Sequence, residues 1–487
     1  MTEALSKAKD TLQTARPRHL SRELLSRWEA SLGVWNAPSR VMEAWQALDD
    51  PRTRIVVTGQ QPGPWGGPLY TLYKAATAIA LAEHIAARDQ IPAVSVFWMQ
   101  TEDTDWGEIG WGALPGRDLR LYRHRFDAAV PARHWVGSAR LTDPPEARAV
   151  VEQWGDDLGD LGPSTETYEL GARFARALMS MFGARGLLPL DGRWPELRLG
   201  GQGLWERYLP RHRQLTLDVV ARGQDRGSAS PLDEASASNG LFILDGERRR
   251  PVEPASWEQE VSDVLKVEPA RLAPSVLLRA PLQDHLLGSV AHVVGNAEAA
   301  YLKQLHPVYA ALGIPEPVRV PRLSATVLPH DLVPSADRER AFLDPEAWIT
   351  ERAQAHVPAD AVPTLTALRH QLETAITRLE ALLGNEQDSA ETLGSARRKI
   401  DFELKRLDET LERRGRRELY RSDPRLRHLA EFLRPRRGPQ ERGISGAMLR
   451  LFFGPDASSV LADAAGDHVV AWSEGRPAPR VLEATRV

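Results

Sequence analysis

The stretch from Arg54 to Glu108 constrains the fold of this chain more than any other. Ile55, Val56 and Val57 are a short β-branched run ending at Gly59, the pattern of a buried strand. Gly59, Gly63, Gly66 and Gly67 then punctuate a loop. Pro68 suits a first helical turn, where the missing N–H costs nothing. Apolar residues recur at helical spacing from Leu69 to Ala87, and Ala93 to Trp98 is a second apolar run. Strand, glycine loop, helix and strand are the opening unit of a nucleotide-handling parallel sheet. The second strand runs directly into Glu102, Asp103, Asp105 and Glu108. Ligands of open α/β sheets bind beyond the carboxyl ends of strands, where both special segments fall.

The rest of the chain extends this frame. Its 487 residues suffice for two or three domains with a large core. A net charge of −4 with mixed signs lacks the basic face of a nucleic-acid binder. No apolar N-terminal segment reads as a secretory signal, and no window has the ~20 apolar residues that span a bilayer. The absence of cysteine excludes disulfides, thiolate metal sites and a cysteine nucleophile. A soluble cytoplasmic protein is expected. Residues 1–50 read as a helical segment and 51–345 as the α/β core, with insertions at about 114–160 and 223–270. Asp245-Gly246 is expected to turn a hairpin in the second insertion. SVLLR (275–279), SVAHVVG (289–295) and PVRVPRLSATVL read as further strands, with helices between them. From Leu365 the period changes. Leu365, Leu368, Leu372, Ala375, Leu379 and Leu382 step by three and four up to Gly384-Asn385, and Leu393, Ile400, Leu404, Leu407 and Leu411 follow. The spacing predicts a helical hairpin within 346–430, leaving 431–487 to complete the core.

Several residues are candidates by type and position. The glycine loop, with Gly59, Gln60, Gln61 and Gly67, could cradle an anionic or polar group, although a tight turn alone would also need glycines. It lacks both the P-loop and the GxGxxG spacing. Glu102, Asp103, Asp105 and Glu108 could bind Mg²⁺ or an ammonium or act as a base. Asp103-Thr104-Asp105 also matches the short DxD pattern of metal-dependent glycosyltransferases. Lys74, one turn into the helix, is within reach of a phosphate at its start. Arg279, Gln283, Glu298, Tyr301 and Arg322 cluster at expected strand ends of the second half. His292, inside an apolar strand, reads as a core residue.

Three blocks carry a resemblance: GQQPGxxxGPLYTxxK, FW and EDxDxxE within Thr58–Glu108; Arg279, Gln283, Gly295, Glu298, Tyr301, Pro321 and Arg322 within Leu278–Leu328; and Pro439-Gln440-Glu441-Arg442 within Gly438–Pro455. In these the chain resembles the cysteine ligases of bacillithiol biosynthesis (BshC). The resemblance implies a Rossmann-like core like that of class I aminoacyl-tRNA synthetases of the cysteinyl type. It also implies connecting-peptide insertions and a C-terminal antiparallel α-helical coiled coil that forms a homodimer. The implied reaction is the last step of the pathway, ligation of L-cysteine to the amine of glucosaminyl-malate. ATP or ADP is the implied nucleotide, and Mg²⁺ is admitted beside it; no protein-held metal site is expected. Glu102, Asp103, Asp105 and Arg279 would then be catalytic. Gly59, Gln60, Gln61, Trp98, Gln283, Glu298, Tyr301 and Arg322 would bind substrate, and Gly67, Lys74, Gln440, Glu441 and Arg442 the nucleotide. The family commonly has histidine where this chain has Thr104 and asparagine where it has Ser445. The rival readings are a glycosyltransferase using Asp103 and Asp105, and a non-catalytic dimeric scaffold on a decayed core.

Overall fold

Ile55, Val56 and Val57 are fully buried at the centre of β1 (Arg54–Gln60) in the computed structural model, which describes residues 10–127, 130–225, 232, 237–383, 387–476 and 481–484. The glycine loop leads into α1 (Leu69–Asp89), which stops where Gln90 takes a left-handed conformation. β2 (Ala93–Met99) pairs in parallel with β1 along its whole length, from Arg54 opposite Ala93 to Gln60 opposite Met99. After the first insertion, α2 (Leu170–Phe182) returns the chain to β3 (Leu188–Asp191) beside β2. The second half adds α3 (Val276–Leu287), β4 (Ala291–Val294), α4 (Asn296–Leu302) and β5 (Val318–Pro321). β4 pairs with β1 and β5 with β4, both in parallel, giving the order β5-β4-β1-β2-β3. This is the doubly wound order in which the chain runs outward from β1 in both directions, so a crevice opens between β1 and β4.

Three local expectations are corrected. SVLLR is not a strand: Ser275 caps α3, its hydroxyl accepting the Leu277 N–H at 3.2 Å. A short buried apolar run does not separate strand from helix by itself. The nearby strand is Leu272–Pro274, which pairs antiparallel with Leu241–Asp245. The second helix of this half breaks into α4, a 3₁₀ turn and His306–Leu312, because Pro307 has no N–H to continue the first ladder. PVRVPRLSATVL divides into β5 and a second strand, Thr326–Pro329, paired with Val481–Ala484.

The insertions stand on this core. Trp111–Pro115 and Leu121–Arg125 form an antiparallel hairpin, and Leu241–Asp245 turns through Gly246 (φ +63°) to Arg248–Arg250. Most of the polar segment 223–240 lies outside the described residues. Trp28 of the N-terminal helix Arg22–Val34 is buried, its indole N–H 2.7 Å from the Pro189 carbonyl. Two long helices follow the core, α5 (Ala361–Leu383) and α6 (Gln387–Ser422). Arg369 pairs with Asp408 and Arg397 with Glu380, which makes them antiparallel; the expected Gly384-Asn385 stop lies outside the described residues. Finally α7 (Ala457–Ser473) lies along α1, and His468 Nε2 meets the Pro321 carbonyl at 2.7 Å at the end of β5. Among the described residues no helix is long and apolar enough to cross a membrane.

Candidate active site

The carboxyl ends of β1, β2, β4 and β5 converge on a cleft of about 240 Å³. β1 supplies Gln60, followed by Gln61; α1 supplies Tyr70 and Lys74; the end of β2 supplies Gln100 and Asp103. From the second half come Arg279 on α3, Glu298 and Tyr301 on α4, and Arg322 after β5. Arg442 reaches in from the C-terminal segment. Eleven of the candidate residues named in advance are thus at or beside one crevice, the β1/β4 switch point: Gly59, Gln60, Gln61, Lys74, Asp103, Glu108, Arg279, Glu298, Tyr301, Arg322 and Arg442.

Lys74 is buried, and its ammonium is fully engaged. It donates to the Gly59 carbonyl (2.8 Å), Gln60 Oε1 (3.1 Å) and Glu298 Oε2 (2.6 Å). Burial lowers its pKa, and Glu298 opposes that. With three donors spent, Lys74 is a fixed internal cation rather than a free phosphate ligand. Asp103 faces Arg279 at 3.3 Å and accepts the backbone N–H groups of Thr104 (2.6 Å) and Asp105 (3.3 Å). Burial alone would raise its carboxyl, but Arg279, Arg249 and those N–H groups hold it below the usual range. Asp103 is therefore a standing negative charge and a poor base. Burial also pushes the Tyr301 and Tyr70 hydroxyls up to about 12, so both enter the cleft as neutral donors.

The arginines differ in availability. Arg322 is locked in a bidentate pair with Glu441 (2.8 and 2.5 Å) and also donates to the Leu323 carbonyl. It is already neutralised by that pair, which leaves little of its charge for a substrate. Arg442 is exposed and makes no ion pair among the described residues, which leaves it as a cation open to an anion. Tyr70 lies between them, its ring 5.3 Å from the Arg322 guanidinium and 5.5 Å from that of Arg442.

Other residues named in advance do not reach the cleft. Trp98 and Gln283 are buried in the core. Gln440 spends its amide on the Val327 N–H and on the carbonyls of Val327 and Phe432. Asp105 caps the turn Trp106–Ile109 by accepting the Glu108 N–H at 3.0 Å. Glu102 is buried against Gly192, with Oε2 lacking a hydrogen-bond partner among the described residues. Burial raises its pKa against the pull of Arg249 and Arg279. Between its unfolded value and that raised value, folding holds a proton the unfolded chain has released, so ionisation subtracts stability as pH rises. Glu102→Gln should therefore gain melting temperature over wild type at pH 8, and gain less at pH 4.

The glycine loop also differs from expectation. Its backbone meets protein, not an open anion site. The Leu69 N–H donates to the Ile444 carbonyl (2.9 Å), and the Gly67 and Trp65 carbonyls accept from Gly446 (2.7 Å) and Ala447 (3.0 Å). Ser445, the departure from the family, accepts the Ala113 N–H on its hydroxyl at 3.0 Å and is buried. Gly67 sits at φ +67°, ψ −171°, a region essentially reserved for glycine. Gly67→Val should cost about 1–3 kcal/mol by urea unfolding, while ligand affinity of the folded fraction stays unchanged. Equal stability with lost binding would restore the anion-cradle reading.

Gln100, Tyr70 and Arg249 escaped the sequence reading. Tyr70 lies one turn before Lys74 on the same helix face, a spacing that could have nominated it. Arg249 comes from the second insertion, and two of its guanidinium nitrogens are buried without partners among the described residues. It bears electrostatically on Glu102 and Asp103. Alternation along Arg248–Arg250 was the available signal, since only the middle residue faces away from its neighbours.

A parallel sheet with a polar, charge-lined crevice at its switch point defines a Rossmann-like enzyme core that handles small polar molecules. A family model described as "Bacillithiol biosynthesis BshC, N-terminal Rossmann-like domain" matches residues 2–323, and the chain belongs to that ligase family. It is 28% identical to a protein of Symbiobacterium thermophilum over 90% of this chain and 86% of the relative. It is 30% identical to one of Solibacter usitatus over 85% and 82%, and 29% identical to one of Thermus thermophilus over 87% and 88%. All three bear the name "Putative cysteine ligase BshC".

Proposed function

We propose that this chain catalyses the last step of bacillithiol synthesis, joining the carboxyl group of L-cysteine to the amine of glucosaminyl-malate. The observation that carries the reading is the cleft itself, with cations and carboxylates facing each other at the switch point of a BshC-family core. Asp103 would hold the ammonium group of a substrate, Glu298 would receive the attacking amine and its proton, and Arg279 would fix Asp103. Tyr70 and Tyr301 would donate to substrate oxygens. An activating nucleotide, ATP when bound, supplies the free energy for amide formation. The residues that fit it line a neighbouring cleft of about 520 Å³: Trp111, Arg123, His124, Arg125, Arg436 and Arg442. That set offers cations for phosphates and an indole for a base. Arg442 borders both clefts, so it could answer negative charge where the two substrates meet.

The glycosyltransferase alternative draws no support from the geometry. Asp105 is spent as a cap, and among the described residues no group of three or more His, Asp or Glu could hold a metal ion. Thiol profiling of a deletion strain by mass spectrometry tests the proposal. Accumulated glucosaminyl-malate without bacillithiol is the expected result, and an unchanged thiol pool removes it.

The helical hairpin is read as the dimer element. Leu404 and Ile376 are buried, whereas Leu379, Leu382, Phe402 and Leu407 stay exposed on long helices. Leu404 turns inward, so a second copy would meet the exposed apolar residues, Leu379 and Phe402 among them. Leu379→Glu with Phe402→Glu should convert a dimer to a monomer by light scattering, with the parallel sheet still folded. A persisting dimer would place the interface elsewhere.

A further inference from the structure

Beneath the cleft floor, His292 on β4 stands in register with Arg319 on β5. Arg319 Nη1 lies 2.7 Å from His292 Nδ1. A guanidinium has only donors and does not give up its proton at neutral pH, so Nδ1 must accept. Burial, with the charges of Arg319, Lys74 and Arg279, pushes the pKa of the ring well below 6.5. The neutral ring then carries its proton on Nε2.

The ring is held from behind. Arg319 donates to Asp284 Oδ2 (3.3 Å) and to the Tyr309 hydroxyl (2.7 Å). Asp284, whose side chain is fully buried, also accepts Ser289 Oγ and Tyr309 OH, each at 2.5 Å. Rotating the imidazole would strip Arg319 of an acceptor. In front, His292 Nε2 is buried with no hydrogen-bond partner among the described residues, and Glu298 Oε1 lies 3.9 Å away. The other oxygen of Glu298 is taken by Lys74 (2.6 Å) and the Gly295 N–H (3.3 Å). A fixed N–H donor therefore stands 3.9 Å from the free oxygen of a cleft carboxylate, just beyond bonding distance.

We propose that His292 is a positioning residue of the cleft, donating from Nε2 to Glu298 Oε1 when an amine substrate is bound and so fixing the carboxylate that receives the amine. This rests on the ligase reading of the cleft. Catalytic hydrogen bonds that are long in a free enzyme commonly tighten in its complex. The buried donor is unmet among the described residues, and Glu298 Oε1 is an acceptor within 3.9 Å of it.

The test uses full-length protein labelled with ¹⁵N at histidine, the His292 signals being assigned by their loss in His292→Gln. A neutral Nε2–H pattern, constant from about pH 6 to pH 8, is expected. Glu298→Gln should move that resonance, and added glucosaminyl-malate should shift its proton downfield. His292→Leu should lower kcat about ten- to a hundredfold with KM for cysteine little changed, and His292→Gln, which keeps an N–H near Nε2, should recover most of the loss. A titrating ring, a resonance indifferent to Glu298→Gln, or equal impairment of both His292 variants would overturn the proposal. Wild-type protein that couples His292 to Glu298 but joins no cysteine supports the contact and overturns the ligase reading instead.

Discussion

Asp103→Asn should lower turnover about 10²–10³-fold while shifting the melting temperature by no more than about 4 °C. Asparagine keeps the size of the side chain and an oxygen for the N–H groups of Thr104 and Asp105, so the loop after β2 retains its shape. What it loses is the charge facing Arg279 and the cleft. That charge is strong because Asp103 and Arg279 keep only 20% and 18% of their side chains exposed, which limits screening by water. It persists there because Arg279, Arg249 and two backbone donors outweigh the cost of burial. Arg279 is not orphaned by the change, since Glu102, Glu298 and Tyr301 also bear on it, which limits the loss of stability. Steady-state rates by mass spectrometry and melting by scanning fluorimetry decide the matter. A large drop in stability with activity retained would make Asp103 a clasp for Arg279 rather than a working residue.

The parts of this design that were legible in the chain are those set by local pattern. β1, α1 and β2 follow from a β-branched run, a proline at a helix start and a second apolar run, and the position of the cleft follows from strand ends. Less was legible wherever a residue's role depends on what consumes its atoms. Lys74 and Arg322 look alike as bare cations, yet Lys74 spends all its donors inside the cleft wall and Arg322 is cancelled by a residue 119 positions away. Gln440 and Arg442 sit two residues apart in one motif. The first is a buried bracket for Val327 and Phe432, and the second reaches open space. The glycine loop misled for a related reason. Glycines mark a close approach of backbone, but not whether ligand or protein approaches, and here residues 444–447 do. Arg249 could be placed only once the second insertion was seen to fold back over the acidic segment. The backbone route is explicit: Arg249 donates to Arg133, Trp135 to Glu247, and Val136 to Asp103.

Glu441→Ala is expected to be the most destabilising single change near the site, costing about 3–5 kcal/mol by urea unfolding. Both side chains of the Arg322–Glu441 pair are less than 10% exposed, at 8% and 7%. The two parallel contacts are joined by Ser324 Oγ, which donates to Glu441 Oε2 at 3.0 Å. Deleting the carboxylate leaves the Arg322 guanidinium buried, with one carbonyl and the face of Tyr70 as its remaining partners. A buried charge stripped of its counter-charge is what makes such truncations expensive. Replacing both partners, Arg322→Met with Glu441→Leu, should therefore recover most of the lost stability, because neither charge is then stranded. Activity should not recover with it. The pair ties the C-terminal segment to the end of β5, and Arg442, next in sequence, depends on that anchorage to stand at the cleft. kcat/KM should stay depressed in the double variant even as its unfolding midpoint returns. A loss below about 1 kcal/mol in Glu441→Ala would instead mean that water screens the pair, and the anchorage of Arg442 would then have to come from the Gln440 bracket alone.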